Sequence, residues 1–294
     1  MQCSITLIHY NNMIEFKNLS FRYPNGHQVF SDLNLHIANG GIYGLLGPNG
    51  QGKSTLLYLI SGLLRPTSGS VTMNGTSTGK RLPSTLSEIF IVPEEFSLPA
   101  ITMKEYCCIN APFYPKFSID ELTENLKAFG LDTDVNMASF SMGQKKKAFL
   151  SFALACNTSL LLLDEPTNGL DISSKADFRR FIASHMTEDR TIMVSTHQIH
   201  DVELLLDHII MLGKDGQPII DCPVSLITDK LCFETSVNGS EPSPDELFSR
   251  PTFGGNNIVS MRTEDMPETE INLELLYELA AAKPSVIQEI LKTN

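Results

Sequence analysis

The chain has 294 residues, of which 42% are hydrophobic, so it can form one large domain, or one domain with an appendage, around a sizeable core. Its formal net charge of −12 argues against a general nucleic-acid-binding protein, because phosphate contacts need Lys and Arg. No apolar run approaches the roughly 18 to 20 residues of a membrane-spanning helix, and the N-terminus lacks the features of a secretory signal. We therefore expect a cytoplasmic protein that acts at a membrane only through a partner.

The cysteines and the one basic run carry little functional signal. None of the six cysteines forms a C-x-x-C pair, and in the cytoplasm we expect free thiols, several of them in the core. The run Lys145 to Lys147 is the only notable basic cluster, and we interpret it as a solvated face in the first turn of a helix.

The first predicted element is a β-hairpin. Apolar residues alternate between Met13 and Ala38 on both sides of the turn Pro24-Asn25-Gly26. Tyr23 lies beside this turn, where its ring is either a core residue at a strand edge or a surface on which a nucleotide base stacks.

The next segment, GPNGQGKST from Gly47 to Thr55, follows an apolar strand and precedes a helix predicted from Lys53 to Leu64. Its spacing is G-x-x-x-x-G-K-[ST], which binds phosphate groups with backbone N–H groups at a helix N-terminus. The glycines let the backbone approach an anion, Lys53 adds a mobile positive charge, and Ser54 supplies a hydroxyl for Mg²⁺. The alternative is a Gly-rich turn before an amphipathic helix, but the strand and helix around it favour nucleotide binding.

Alternating strands and helices follow. Helical spacing at Ile119 to Phe129, among several prolines, predicts a helical insertion at about residues 95–158. Further helices are predicted at Ser174 to Met186 and at Gln198 to Leu206. The pattern over residues 40–221 predicts a mainly parallel sheet with helices on both faces. Its apolar strands are Ile89 to Val92, Leu160 to Leu163, Thr191 to Ser195 and Ile209 to Leu212.

Beyond Cys222 the alternating pattern weakens. Residues 236–257 are rich in Pro, Gly, Ser and Asn and are predicted to be a loop or hinge. Ile271 to Ala282 is a candidate amphipathic helix, and Pro284 can begin another short helix. We therefore expect one domain at residues 13–221 and an extension at residues 222–294, which is regulatory or supports dimerisation.

A pair of acidic residues follows four leucines. An acidic residue at the end of a central parallel strand points into the crevice where α/β sheets bind ligands. Asp164 is placed to hold Mg²⁺ through water opposite Ser54, and Glu165 to polarise an attacking water. Two acids that solvate a loop are the alternative, which the preceding leucines and the following PTNGLD make less attractive.

The chain resembles the ATP-binding subunit of ABC transporters over about Met13 to Leu212. The resemblance rests on four motifs that occur in this order: GPNGQGKST, FSMGQKKK, LLLLDEPTNGLD and STH. The resemblance implies an α/β P-loop NTPase fold: a mainly parallel sheet flanked by helices, an N-terminal antiparallel β subdomain, a helical insertion and a small C-terminal extension. Among these proteins, the chain looks most like bacterial single-cassette subunits that serve exporter-type permeases.

The resemblance assigns roles to individual residues. It implies catalysis by Glu165, His197 and Lys53, and a Mg²⁺ site at Ser54, Asp164 and Glu94. It also places Ser141, Met142, Gly143 and Gln144 in the family's signature motif, which binds the γ-phosphate of an ATP held by the opposite subunit. The implied active form is therefore a head-to-tail homodimer or heterodimer, and Asp171 fits the loop that communicates between the two sites. The residues implied to bind ATP are Tyr23, Gly47, Pro48, Asn49, Gly50, Gln51, Gly52, Lys53, Ser54, Thr55, Ser141, Gly143 and Gln144.

Two positions depart from the family pattern. Glu94 stands where the family often has Gln, and its added negative charge can alter metal affinity or timing. Met142 stands in the signature where Gly is commoner, but Ser141 and Gly143 keep the γ-phosphate contact.

We therefore predict an ATP-hydrolysing subunit that powers a separate membrane permease from the inner face of the cell membrane, with permease contacts at about Phe96 to Asn136. The alternative is a soluble ABC-type ATPase that acts on ribosomes, DNA or an assembly machine. Acidity, a single cassette and the lack of sustained heptads disfavour it. A regulator that binds nucleotide without turnover is disfavoured because Glu165 and His197 are both present.

Overall fold

The computed structural model describes residues 12–237, 245–263 and 265–292. The predictions about the extreme N-terminus, including Cys3, and part of the predicted loop lie outside these residues. The strands are β1 (Asn12–Arg22), β2 (Gln28–Ala38), β3 (Gly41–Leu46), β4 (Ser68–Met73), β5 (Thr76–Ser77), β6 (Ile89–Val92), β7 (Leu160–Asp164), β8 (Thr191–Thr196), β9 (His208–Leu212), β10 (Pro218–Pro223), β11 (Leu231–Val237), β12 (Glu246–Thr252) and β13 (Gly255–Met261).

Helices connect most of these strands. The α-helices are α1 (Lys53–Ile60), α2 (Pro83–Leu86), α3 (Met103–Asn110), α4 (Ile119–Ala128), α5 (Met142–Ala155), α6 (Ile172–Ser184), α7 (Val224–Lys230), α8 (Leu273–Ala282) and α9 (Pro284–Ile290). Helix α1 ends at Ile60, before its predicted end at Leu64. Gly62 has a φ of +68°, a conformation in which glycine commonly terminates a helix.

Two sheets form the predicted nucleotide-binding unit. β2, β1, β4 and β5 form an antiparallel sheet, in which the predicted hairpin is the β1–β2 pair. The second sheet has the order β10-β9-β3-β8-β7-β6; its strands run parallel except for β10, which is antiparallel to β9. The predicted mainly parallel sheet and the antiparallel N-terminal subdomain are therefore confirmed.

Alternate residues of the central strands face two hydrophobic cores. In β7, Leu160 and Leu162 pack with α1 and the antiparallel sheet, whereas Leu161 and Leu163 pack with residues of α3 to α6 and α8. This two-sided burial explains why β7 reads as an unbroken apolar run. The carboxyl ends of the parallel strands β3, β6, β7 and β8 lie at one edge, where the candidate site is built.

Residues between β6 and β7 form α3, α4 and α5, as the predicted helical insertion requires. α3 and α5 each begin with a capping box, at Thr102 and Ser141. Phe152 of α5 is fully buried, with its ring centroid 5.0 Å from that of Tyr106 and 5.3 Å from that of Phe117. Aromatic packing therefore fixes α5, and with it the signature residues at its N-terminus, against α3 and the chain before α4.

The prediction of a loop or hinge at residues 236–257 is wrong for its described C-terminal part. β12 and β13 form an antiparallel sheet with β11, in the order β11-β13-β12. Pro251 lies in β12, an edge strand, where a missing backbone N–H is tolerated. The predicted helix at residues 271–282 is confirmed as α8, and Pro284 begins α9 as predicted.

The predicted helix from Gln198 to Leu206 is also wrong. Two short 3₁₀ turns occupy the segment, at Ile199–Asp201 and Glu203–Leu205. Ile199 and Val202 are buried, and their spacing of three residues suits a 3₁₀ turn as well as an α-helix. The apolar pattern therefore gave the buried face correctly but not the type of helix.

All five cysteines in the described part of the chain are free thiols, and four of them are buried, as predicted. Among the described residues, no helix combines the length and hydrophobicity needed to cross a bilayer.

Candidate functional site

The phosphate-binding motif forms the turn between β3 and α1. Gly52 precedes α1 with a φ of +95° and, as a glycine, leaves the first N–H groups of this helix without a side-chain cap from the N-cap position. These N–H groups and the positive end of the helix dipole favour an anion. Lys53 Nζ donates hydrogen bonds to the carbonyl oxygens of Gly47, at 2.9 Å, and Pro48, at 3.2 Å. The loop thus holds a lysine ammonium beside a helix N-terminus, as the sequence predicts.

A cleft of about 480 Å³ opens beside this loop. Tyr23 forms part of its wall, where its hydroxyl lies 3.0 Å from Thr55 Oγ1 and its ring packs edge-on against Phe21. His27 and Val29, which sequence reasoning missed, also line the cleft; their position just after the hairpin turn was the only available signal. The lining residues are Tyr23, His27, Val29, Asn49, Gly50, Gly52, Lys53, Ser54, Thr55, Glu94 and Glu165.

Asp164 ends β7 at the floor of this site. Its Oδ1 atom accepts a hydrogen bond from Ser54 Oγ at 3.0 Å and another from Ser195 Oγ. Asp164 is 1% exposed, and burial raises the pKa of its carboxyl group above the ordinary value. A buried carboxylate whose hydrogen bonds come from two serine hydroxyl groups is well suited to pair with a cation.

Glu165, which is 4% exposed, forms a second cluster with residues at the end of β8 and directly after it. Its Oε1 atom lies 2.9 Å from His197 Nδ1 and 3.4 Å from Lys53 Nζ. Its Oε2 atom accepts a hydrogen bond from Thr196 Oγ1 at 3.0 Å. Glu165 has a φ of +44°, a backbone conformation that non-glycine residues adopt rarely and mostly at constrained sites. The structure therefore brings together Lys53, Glu165 and His197, which the sequence nominated as catalytic.

Glu94 lines the same cleft, but its contacts differ from those of the other predicted metal ligands. Its Oε1 atom accepts a hydrogen bond from Asn168 Nδ2 at 2.7 Å. Ser54 and Asp164 contact each other, whereas no hydrogen bond joins Glu94 to either of them within the described residues. The carboxylate of Glu94 is directed to the loop after β7.

The remaining predicted residues lie elsewhere. Ser141 Oγ accepts from the backbone N–H of Gln144, and Gln144 Oε1 accepts from that of Ser141 at 2.9 Å, so both side chains cap α5. Ser141, Gly143 and Gln144 do not line the cleft of their own chain. The side chain of Gln51 lines a different cavity, next to α8 and α9.

Asp171 caps α6 in a similar way. It accepts a hydrogen bond from the backbone N–H of Ser174 at 2.7 Å and one from Ser173 Oγ at 2.8 Å. These hydrogen bonds, with the Ser174 backbone first, lower the pKa of Asp171 to about 2. Asp171 therefore stays negatively charged at neutral pH beside a helix N-terminus.

Comparison with known proteins agrees with this fold. The family model described as "ABC transporter" matches residues 30–168. The chain is 30% identical to the ABC transporter ATP-binding protein YtrB of Bacillus subtilis over 232 residues, which cover 77% of this chain and 79% of YtrB. It is also 30% identical to the energy-coupling factor transporter ATP-binding protein EcfA2 of Ligilactobacillus salivarius, over 93% of this chain and 92% of EcfA2.

A solved structure gives the same result at the level of the fold. CbiO1 of Clostridium perfringens, part of the ABC transporter complex CbiONQ, superposes with a TM-score of 0.61 and 25% identity, over 72% of this chain and 89% of CbiO1. The chain belongs to the ATP-binding proteins of ABC transporters, a family that hydrolyses ATP to drive transport. The family and the ATPase activity expected from the sequence motifs are thereby confirmed.

Proposed function

We propose that this chain is the ATP-hydrolysing subunit of a membrane transporter and that the cluster of Lys53, Glu165 and His197 carries the chemistry. Glu165 polarises the attacking water, and His197 and Lys53 face the γ-phosphate. The contacts of the Glu165 carboxylate, 2.9 Å to His197 and 3.4 Å to Lys53, are the observation that carries this assignment. The imidazole and the ammonium group together hold this carboxylate beside the cleft.

We also propose that Ser54 and Asp164 hold Mg²⁺. Both present hard oxygen atoms, and their contact of 3.0 Å places a hydroxyl and a carboxylate at one point of the cleft. Mg²⁺ commonly takes only one or two protein carboxylates and completes its shell with water and substrate phosphates. Bound there, the ion would neutralise negative charge on the phosphate oxygens. Glu94 remains a weaker candidate because its carboxylate contacts Asn168.

Tyr23 of the same chain stacks on the adenine ring at the mouth of the cleft. The rest of the nucleotide site requires a second chain. Ser141 and Gly143, exposed or half-buried at the start of α5, contact the γ-phosphate of the ATP bound by the opposite subunit. In this proposal residues 13–221 form the ATP-binding domain, with its helical insertion at about 95–158. Residues 222–294 form the regulatory or dimerisation extension, and the partner is a second copy or a related ATP-binding subunit.

The helical insertion presents the surface for a permease. Ile109, Phe113 and Ile119 are 60%, 68% and 55% exposed, although large apolar side chains are usually buried. We place these residues against the cytoplasmic side of a membrane permease, which locates the protein peripherally at the inner face of the cell membrane. CbiO1 is part of the ABC transporter complex CbiONQ, which supports a membrane partner rather than a soluble machine. The net charge of −12 disfavours a nucleic-acid partner.

ATP drives transport in this proposal because it binds the closed dimer more tightly than the open one, the only way in which a ligand can shift such an equilibrium. Hydrolysis removes that preference, and the dimer reopens. Service to an exporter-type permease, which the sequence resemblance favours, is tested by transport in vesicles of known orientation.

The test is the capture of a partner from detergent-solubilised membranes of the native host. Tagged Glu165→Gln protein with Mg-ATP should accumulate in the closed state and retain a multi-span membrane protein. Phe113→Asp in the same background should lose that protein, whereas Phe253→Asp, an equally drastic change on the C-terminal sheet, should keep it. Recovery of soluble complexes alone, with the tagged protein itself absent from the membrane fraction, would refute the permease assignment.

A further inference from the structure

Lys146 stands out in the run of three lysines at the start of α5. We expected a solvated face from the sequence, but Lys146 is half-buried and its ammonium donates a hydrogen bond to the backbone carbonyl of Asn168. Lys147 lies 5.3 Å over the ring of Phe129 and 3.9 Å from Asp177. The side chain of Lys145 makes no hydrogen bond or ion pair with any residue that the structure describes. All three lysines are half-buried, so the prediction of a solvated face is wrong, and the two neighbours provide internal comparisons for Lys146.

Asn168 connects Lys146 to the candidate site. The carbonyl oxygen of Asn168 accepts from Lys146, while the side-chain amide of Asn168 donates to Glu94 Oε1 at 2.7 Å. One residue of the loop after β7 thus joins the start of α5 to the chain after β6. The start of α5 contains the signature residues, the loop after β7 directly follows Glu165, and the chain after β6 contains Glu94, which stands at the usual Gln position.

The charges near Lys146 are negative, as its contact with the loop after β7 leads us to expect. Burial lowers the pKa of the Lys146 ammonium, while the carboxylates of Glu94 and Glu165 raise it. The link through Asn168 places the Glu94 carboxylate close enough to interact with the ammonium electrostatically. A half-buried cation close to a carboxylate costs less to bury than an isolated one, and it offsets the extra negative charge that Glu94 brings.

We infer that Lys146 is a positioning residue that compensates the charge of Glu94 and holds the loop after β7 to α5 through Asn168. Helix α5 and the loop next to Glu165 then move as one unit, so that a displacement of the signature residues reaches the water-polarising carboxylate. This role rests on the function proposed above for Glu165. It also explains how a carboxylate is accommodated where the family often has an uncharged Gln.

A purely structural role for Lys146 makes a different prediction. Its side chain lines an apolar cavity with Val92, Phe96, Phe129 and Leu150, so its aliphatic stem also packs. If packing were its only contribution, removing the charge would have the same effect whether residue 94 is Glu or Gln. The charge-compensation role instead requires that the effect depend on residue 94.

The experiment is a double-mutant cycle with Lys146→Met, Glu94→Gln and the combined variant, with Lys145→Met as the matched control. We expect Lys146→Met to lower kcat roughly tenfold with KM changed by less than about twofold, because it leaves the carboxylate uncompensated. In the Glu94→Gln background, the same change should lower kcat by less than about twofold. Lys145→Met should leave kcat and KM equal to those of its parent protein, whether residue 94 is Glu or Gln.

Two further measurements separate positioning from folding and binding. The affinity for a fluorescent ATP analogue without Mg²⁺ should change by less than about twofold in Lys146→Met, since the lysine does not line the nucleotide cleft. Lys146→Arg, which keeps the charge, should recover most of kcat. If Lys146→Met does not yield folded protein, Lys146→Gln, which keeps a donor for Asn168 but removes the charge, replaces it throughout the cycle.

Equal effects of Lys146→Met in both backgrounds would overturn the inference, as would wild-type behaviour of Lys146→Met. Either result is distinct from a failure of the proposed function, in which the wild-type protein itself would show no Mg-dependent ATP hydrolysis.

Discussion

Replacing Glu165 by Gln removes one negative charge from the catalytic cluster and keeps the shape of the side chain. A Gln carbonyl oxygen at the Oε1 position can still accept from the backbone N–H of His197, which lies at 3.0 Å. The new amide group can then donate to Thr196 Oγ1, 3.0 Å from the Oε2 position. That hydroxyl already accepts from the N–H of Gln198, but it has a second lone pair available.

The structure therefore predicts a small effect on folding and a large effect on the rate. Exchanging charged for neutral hydrogen bonds at one side chain should change the free energy of unfolding by about 1 to 2 kcal/mol. Loss of a general base lowers rates by 10²–10⁴-fold, which corresponds to about 3 to 5 kcal/mol in activation free energy. The difference between these two effects is what marks Glu165 as catalytic rather than structural.

The assay is the single-turnover release of phosphate from Mg-ATP, with nucleotide affinity and the thermal midpoint measured in parallel. Glu165→Gln should bind ATP within about threefold of the wild type while its hydrolysis step slows by at least a hundredfold. Glu95→Gln, which removes the same charge from an exposed residue, is the matched control and should retain its rate. Hydrolysis within tenfold of wild type in Glu165→Gln would refute the assignment of Glu165 as the general base.

Three further predictions follow from local geometry. Gly52→Ala should weaken ATP binding roughly tenfold in a fluorescence titration, since a Cβ at this φ of +95° would lie 2.6 Å from Val29 Cγ1; Gly50→Ala, with nothing within 4 Å, should cost less. Phe152→Ala should lower the free energy of unfolding in urea by about 3 to 5 kcal/mol; an unchanged midpoint would mean that the aromatic cluster does not hold α5. A hydrogen bond to Glu203, together with nearby carboxylate charges, raises the pKa of His200 above its ordinary value of 6.5. The stabilisation from this pairing is therefore complete below pH 6.5, and it is lost as the pH rises through the raised pKa. His200→Gln should therefore lower the thermal midpoint more at pH 6 than at pH 9, and an equal loss at both would contradict the ion-pair account.

The central part of the site could be predicted because each motif carries its own local physics. Glycines that allow positive φ, a lysine at a helix N-terminus and acids after a buried strand act over a few residues, and parallel strands bring such segments to one edge of the sheet. Lys53, Asp164 and Glu165 therefore needed only the prediction of a parallel sheet to be placed together. The signature residues are different, because the family resemblance alone assigned them to the nucleotide, and within one chain Ser141 and Gln144 cap their own helix.

The C-terminal extension was harder to predict because its strands lack a local signal. Residues 246–257 contain Pro251 and paired glycines, which usually mark loops, yet β12 and β13 pair along their whole length. Tertiary packing overrides local propensity there: Val259 is fully buried in the same core as Leu275 and Leu279 of α8. Since the helix supplies the hydrophobic face that the strands need, the sheet is defined by residues that lie some 15 to 20 positions further along the chain.

Charged side chains that join distant segments escape sequence reasoning for a related reason. A lysine in a basic run reads as solvated, and nothing in the local sequence around a histidine between Ile199 and Asp201 points to a partner in a distant segment. His200 nevertheless lies 3.1 Å from Glu274 of α8, in the segment that directly follows His197. The C-terminal extension therefore contacts the chain three residues from a candidate catalytic histidine. A movement of α8 relative to the central sheet would either break this exposed pair or displace the turn that contains His200.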